Sequence, residues 1–197
     1  MIKSRADLLF YLEEDRKALS IPKLSLKRRF KQILFPYEIW QFEKMLRYLE
    51  YYANTKGVNP VRWGRYFLYK ILFRKQSLKL GFSIPINVCG YGLSIAHYGT
   101  IVISENAVIG NYCHIHAGVN IGASAGRLEA PKIGNNVYIG PGAILFGDIN
   151  IADNCTIAAN ATVNKSFYAE RSVIAGTPAK IVKEDYQNWL EFNKIKL

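Results

Sequence analysis

Between Ile103 and Val163 an aliphatic residue returns every sixth position, and few folds accept that period. The repeat starts are Ile103, Ile109, Ile115 and Ile121, then Ile133, Ile139, Leu145, Ile151, Ile157 and Val163. The residue after each start is mostly small or polar, as in Ser104, Gly110, Gly134, Gly140, Ala152 and Ala158. The fifth position is mostly small, as in Ala107, Cys113, Val119, Val137, Ala143, Cys155 and Ala161. This is the pattern of a parallel β-helix, in which three units make a triangular coil and coils stack about 4.8 Å apart. The aliphatic side chain points into the prism and stacks on its counterpart in the next coil. The small residue lets the chain turn beside it. Gly and Asn near the turns, as in Gly134-Asn135-Asn136, tolerate left-handed backbone angles. Antiparallel hairpins would need period-two alternation and a turn every few residues, and neither is present.

Charge divides the chain. Its net charge is +11, and residues 1–80 hold 18 of the 26 Lys and Arg but 7 of the 15 Asp and Glu. The remainder is balanced, which places a boundary near Gly81. The expected organisation is a basic α-helical region over 1–80, a β-helix over 81–183 and a C-terminal helix over 184–197. The start, Met1 to Asp7, has no apolar core with a cleavage site, and no apolar run is long enough to span a bilayer, so the expected compartment is the cytoplasm. Cys89, Cys113 and Cys155 fall at repeat positions and read as packed thiols in a reducing environment.

The first 80 residues read as helices. Ser4 with Asp7 three residues on resembles a capping box ahead of Leu8, Leu9, Tyr11 and Leu12, with an end near Leu19 and Pro22. Pro36 opens a second helix through Ile39, Phe42, Leu46 and Leu49. Asn59-Pro60 opens a third, which runs through Trp63, Phe67, Ile71 and Leu78 and stops at Gly81. The third interleaves Arg62, Arg65, Lys70, Arg74, Lys75 and Lys79 with Tyr66, Phe67, Tyr69 and Phe73. Two readings stay open for this region: a cap that closes the β-helix and helps it trimerise, or a basic aromatic surface that meets anionic lipid headgroups at the inner membrane surface or an acidic glycan. No nucleic-acid recognition motif accompanies it. The tail residues Tyr186, Trp189, Leu190 and Ile195 have helical spacing and are expected to pack outside the coil.

Interruptions of the repeat mark the candidate site. Cys89, Ile95 and Ile101 are six apart, but Ile103 starts the main register, so two extra residues break the coil just after His97. Such a break aims a side chain outward. Imidazole titrates near neutrality and suits a general base. His114 and His116 flank the next rung, and the count places His116 near Ala96 and His97. The segment Ala123 to Ala130 stands between Ile121 and Ile133 either as two degenerate repeats or as an extruded loop.

Four segments carry a family resemblance over about half of the chain: Gly92-Leu-Ser-Ile-Ala-His97-Tyr-Gly-Thr-Ile-Val, Pro131-Lys-Ile-Gly134, Ile139-Gly-Pro-Gly-Ala143 and Ile174-Ala-Gly-Thr-Pro-Ala-Lys-Ile-Val182. They resemble the hexapeptide-repeat acyltransferases, in particular the serine acetyltransferase-like branch and its relatives in polysaccharide biosynthesis. The resemblance implies a left-handed β-helix, a homotrimer with clefts between subunits, and acetyl-CoA as cosubstrate. It implies that His97 takes the acceptor hydroxyl's proton. It also implies that the 123–130 segment is a loop bordering the site, with Arg127 and Glu129 toward the acceptor and His116 lining its pocket. Gly122, Gly140, Gly142, Ala158 and Ala159 are candidates for the pantetheine arm, and Lys165 and Lys180 for the phosphates.

The chain departs from the serine enzymes at three positions. Ala96 stands where they have an Asp before the base, Phe82 where they have an Asp that orients it, and Ala130 where they have a His before Pro-Lys-Ile. A backbone carbonyl, Ser83 or Asn87 is then left to orient His97. From these departures the expected acceptor is a neutral hydroxyl of a sugar or capsule-type polysaccharide precursor. The alternatives are serine O-acetylation for cysteine synthesis, a zinc-binding coil like the γ-type carbonic anhydrases, and a noncatalytic scaffold. The histidine spacings of 17 and 2 do not resemble the zinc family's, and no metal is expected.

Overall fold

A computed structural model describes residues 1–22 and 37–193. The expected helix start at Pro36 and the tail residue Ile195 lie outside these residues. Among the described residues three helices, α1 (Arg5–Ala18), α2 (Glu38–Thr55) and α3 (Pro60–Leu80), precede short strands that run from β1 (Phe82–Ser83) through β2 (Ser94–Ile95) and β3 (Ile101–Ile103) to Lys183. Local chemistry sets the helix limits. Ser4 accepts from Asp7 N, and the Asp7 carboxylate accepts from Ser4 N, which closes the capping box. Asn59 caps α3 ahead of Pro60, and Gly81 ends it in the left-handed conformation.

The strands build a three-faced parallel β-helix. The first face stacks Ile103, Ile121, Leu145 and Val163. The second stacks Cys89, Ile109, Ile133, Ile151 and Phe167. The third stacks Ile95, Ile115, Ile139, Ile157 and Ile174. These side chains fill the prism, and all are buried. Both interruptions resolve against this frame. Ile133 occupies the next face after Ile121, so the additional residues leave the coil as a loop. A turn from Arg127 N to Ser124 O and a bond from Asn106 Nδ2 to Leu128 O hold that loop. The slip lies in the corner between Ile95 and β3, where His97, Tyr98 and Gly99 bulge outward. Gly99 there takes a φ of 134°, a region side chains rarely enter.

The coil ends are closed by different devices. At the far end Val173–Gly176 turns into an antiparallel partner, Ala179–Lys183, whose Lys180 and Lys183 blunt the new edge. Asp185 then takes a positive φ of 48°, and the tail helix α4 forms only over Trp189–Phe192, capped by Asn188. At the near end α1 and α2 lie over the first coil. Asp15 accepts from Leu93 N at 2.9 Å, Glu43 from Ile95 N at 3.3 Å and Glu50 from Asn87 N at 2.8 Å. Arg47 donates to the carbonyls of Cys89 and Gly90 and pairs with Asp15 and Glu50 at 2.7 and 3.0 Å. Arg47 is 0% exposed. Truncating it leaves two buried carboxylates without their cation and two carbonyls without its donated hydrogen bonds. Arg47→Ala is therefore expected to cost about 3–5 kcal/mol in urea unfolding, far above a surface arginine.

Candidate active site

His97 stands exposed at the bulged corner after β2, and a cavity of 280 Å³ opens beside it. Tyr37, Glu38 and Ile39 from the start of α2 form one wall, and Ala96, His97 and Tyr98 from the coil form the other. A second cavity of 310 Å³ adjoins it through Tyr37 and Ala96 and reaches Ser94, His114 and Trp189. Glu38 is anchored by Lys79 at 2.7 Å and by Gln76 at 2.6 Å, and these contacts hold its carboxyl below the usual range.

The stacking register brings the expected residues together at this corner. Ile95, Ile115, Ile139 and Ile157 share one column, so the residues that follow them, Ala96, His116, Gly140 and Ala158, line up below the bulge. His116 lies 5.8 Å from His97 between ring centroids. Gly140 is needed there: a Cβ would stand 2.7 Å from Ala159 N and 2.9 Å from Ile157 O. Gly142, with a φ of 70°, and Ala159 continue the same small-residue strip.

Other candidates lie elsewhere. Gly122 ends the first face at the following corner, where Arg127 and Glu129 stand exposed on the loop. Lys165 is exposed with its amine over Phe167, and Lys180 is exposed on the closing hairpin. Ser83 lines a separate groove under α3. Asn87 is tied to Asn54 and Glu50 in the cap. Neither Ser83 nor Asn87 lines the cavity beside His97. All three cysteines are buried, and burial pushes the Cys89 thiol up to about 12, well away from a nucleophile's range.

His114 is the residue whose role spacing did not assign. It lies between Tyr138, stacked at 5.4 Å, and Trp189 at 4.7 Å, with Nδ1 2.9 Å from Ser94 Oγ. Its aromatic sandwich combines adjacent coils with the tail, which no local pattern encodes. Burial, then His116 and His97, lowers its pKa to about 4. Burial, then His97, also lowers His116. His114 thus stays neutral near pH 7 as an uncharged floor beneath His116.

Residues 130–165 match the family described as bacterial transferase hexapeptide (six repeats). The serine acetyltransferase of Synechococcus elongatus is 34% identical over 95 residues, 47% of this chain and 38% of that protein. That of Staphylococcus aureus is 38% identical over 98 residues, 49% of this chain and 46% of its own length. The solved serine acetyltransferase of Neisseria gonorrhoeae superposes with a TM-score of 0.69 at 25% identity, covering 98% of this chain and 73% of that one. The chain spans less than half the length of the curated relatives named here.

These relatives overturn the expectation of a sugar acceptor and support the serine alternative instead. Two of the three departures that suggested a sugar, Phe82 and Ala130, have a packing explanation, while Ala96 lines the cavity wall. Phe82 is buried edge-on against Phe42 at 4.9 Å, and Ala130 is buried where the loop re-enters the coil. Both side chains fill core space.

The low His114 pKa makes a stability test. An unfolded histidine titrates near 6.5, so between about 6.5 and 4 the unfolded chain binds more protons than the folded one. Stability contributed by neutral His114 is full above that window and falls as pH drops through it. Melting curves of His114→Gln are expected to lose part of the acid sensitivity seen in the parent protein over that window. The chain carries bacterial transferase hexapeptide repeats on a left-handed β-helix and is similar along that coil to the serine acetyltransferases.

Proposed function

We propose that this chain is an acetyl-CoA-dependent serine O-acetyltransferase with His97 as its general base. The observation that carries the reading is the position of His97. It sits on a bulged corner over a cavity, in a coil similar to those of serine acetyltransferases. His97 takes the proton of the serine hydroxyl as that oxygen attacks the thioester carbon. The tetrahedral intermediate collapses, the carbon–sulfur bond breaks, and the departing CoA sulfur receives the proton from the imidazolium. His116 borders the acceptor. Glu38 is the acidic side chain lining the cavity and meets the serine ammonium, a role the serine enzymes' Asp cannot fill where this chain has Ala96.

The pantetheine arm runs along the small strip of Gly140, Gly142, Ala158 and Ala159, whose backbone permits close approach. Arg127, Glu129 and Gly122 stand at the opposite corner of the first face from His97. A homotrimer would bring the opposite corner of one copy to the histidine corner of the next, completing each cleft from two subunits. A thioester cosubstrate and three unpaired thiols fit a reducing cytoplasm.

Release of CoA by the purified protein should depend on L-serine. His97→Ala should lower kcat by about 10²–10⁴-fold with an unchanged melting temperature. Absence of serine-dependent release from the parent protein would refute the reading. Glu38→Gln should raise KM for serine roughly tenfold and leave kcat nearly intact, the signature of a lost binding contact.

A further inference from the structure

Helix α3 has two unlike faces. Its inner face is packed: Tyr69 stacks on Tyr48 at 4.8 Å, Phe73 meets Phe42 at 5.3 Å, and Gln76 donates to Glu38. Its outer face carries Phe67 and Leu68, each 52% exposed, Ile71 at 66% and Leu78 at 73%. Scattered surface leucines need no explanation, but large apolar residues aligned along several turns of one helix face do. Cations interrupt and border that stripe: Arg74 stands in line with Phe67, Ile71 and Leu78 at helical spacing, and Lys75 lies beside it. The helix holds Arg62, Arg65, Lys70, Arg74, Lys75 and Lys79 and no Asp or Glu. Arg62 is engaged by Thr55 O and Lys79 by Glu38. Arg74 and Lys75 are exposed, and no ion pair among the described residues holds either one.

Charge selects the occupant of this face. A second copy would bring one unbalanced basic helix against another, so self-association is opposed electrostatically. The partner must be anionic and must also accept bulky apolar groups projecting from a convex ridge. An anionic lipid surface has both properties. Apolar side chains enter the acyl boundary while long Arg and Lys side chains reach back to headgroup phosphates. No helix among the described residues is long and apolar enough to cross a membrane, so the contact is peripheral.

We propose that α3 is an interfacial helix that docks this protein on anionic membranes through Phe67, Leu68, Ile71 and Leu78, with Arg74 and Lys75 on the headgroups. The proposal stands apart from the acetyl-transfer reading, because none of these residues lines the cavity at His97.

Flotation of the full chain with vesicles tests it. The probes are phosphatidylcholine alone and phosphatidylcholine mixed with phosphatidylglycerol. Binding should appear only on the mixed vesicles and weaken with added salt. Arg74→Glu with Lys75→Glu should weaken it at least about thirty-fold, since each surface cation contributes close to a factor of five. Ile71→Ser with Leu78→Ser should also release the protein, with unchanged melting temperature and unchanged solution mass. No binding to the mixed vesicles, or equal binding to both kinds, would overturn the proposal. So would a smaller assembly for the Ile71→Ser, Leu78→Ser protein, which would assign the face to another copy of the chain.

Discussion

The open first rung of the β-helix is the constraint on which the rest of this structure depends. A coil pairs each strand with the one below, so its first turn presents backbone donors and acceptors with no strand above. Here side chains take the place of that missing strand. Asp15, Glu43 and Glu50 accept from Leu93, Ile95 and Asn87, while Arg47 serves the carbonyls of Cys89 and Gly90. Burying these ionisable groups is costly unless each finds partners. Burial, followed by the nearby Asp15 carboxylate, drives the Glu43 carboxyl well above the usual range. Its second oxygen has no partner among the described residues. The helices and the coil are therefore joined by groups that neither part can satisfy alone.

The geometry of the site follows from that junction. His97 is two residues beyond Ile95, whose amide Glu43 holds, and the opposite wall of the cavity is the first turn of the same helix that carries Glu43 and Arg47. One helix thus seals the rung beneath the histidine and supplies Tyr37, Glu38 and Ile39 across from it. The two extra residues between Ile95 and Ile103 would otherwise be an unsupported bulge. Backbone bonds from Gly99 N to Leu80 O and from Ile101 N to Gly81 O tie it to the end of α3. The expected rigidity is that of a loop anchored at both ends on capped helices.

Much of this was legible in the chain because it is written at short range. The six-residue period gave the stacking columns, the Ser4–Asp7 pair and Asn59-Pro60 gave two helix starts, and the register count placed His116 beside His97. What escaped depends on contacts between residues 32 to 78 apart, such as Arg47 with Asp15 and Asp15 with Leu93. Charged residues on helices normally face water, so nothing local marks Asp15, Glu43, Arg47 and Glu50 as buried. The same long-range packing explains the misread acceptor. Phe82 stands where the serine enzymes have a carboxylate, and its ring fills the junction between α2 and the coil.

The distribution of charge in the helical region gains meaning from this arrangement. The cap's acidic residues are few, and several are turned inward or paired: Asp15, Glu43 and Glu50 on the coil edge, Glu38 with Lys79. Carboxylates committed to the junction cannot neutralise the outer surface, so the cations of α3 are left to face solvent. The strongly basic exterior is thus partly a consequence of how the coil is sealed. The uncompensated cations of α3 give this end of the molecule an attraction for negatively charged surfaces. Sealing the coil, shaping the cavity and leaving the outer helix basic are thereby three results of one allocation of charge.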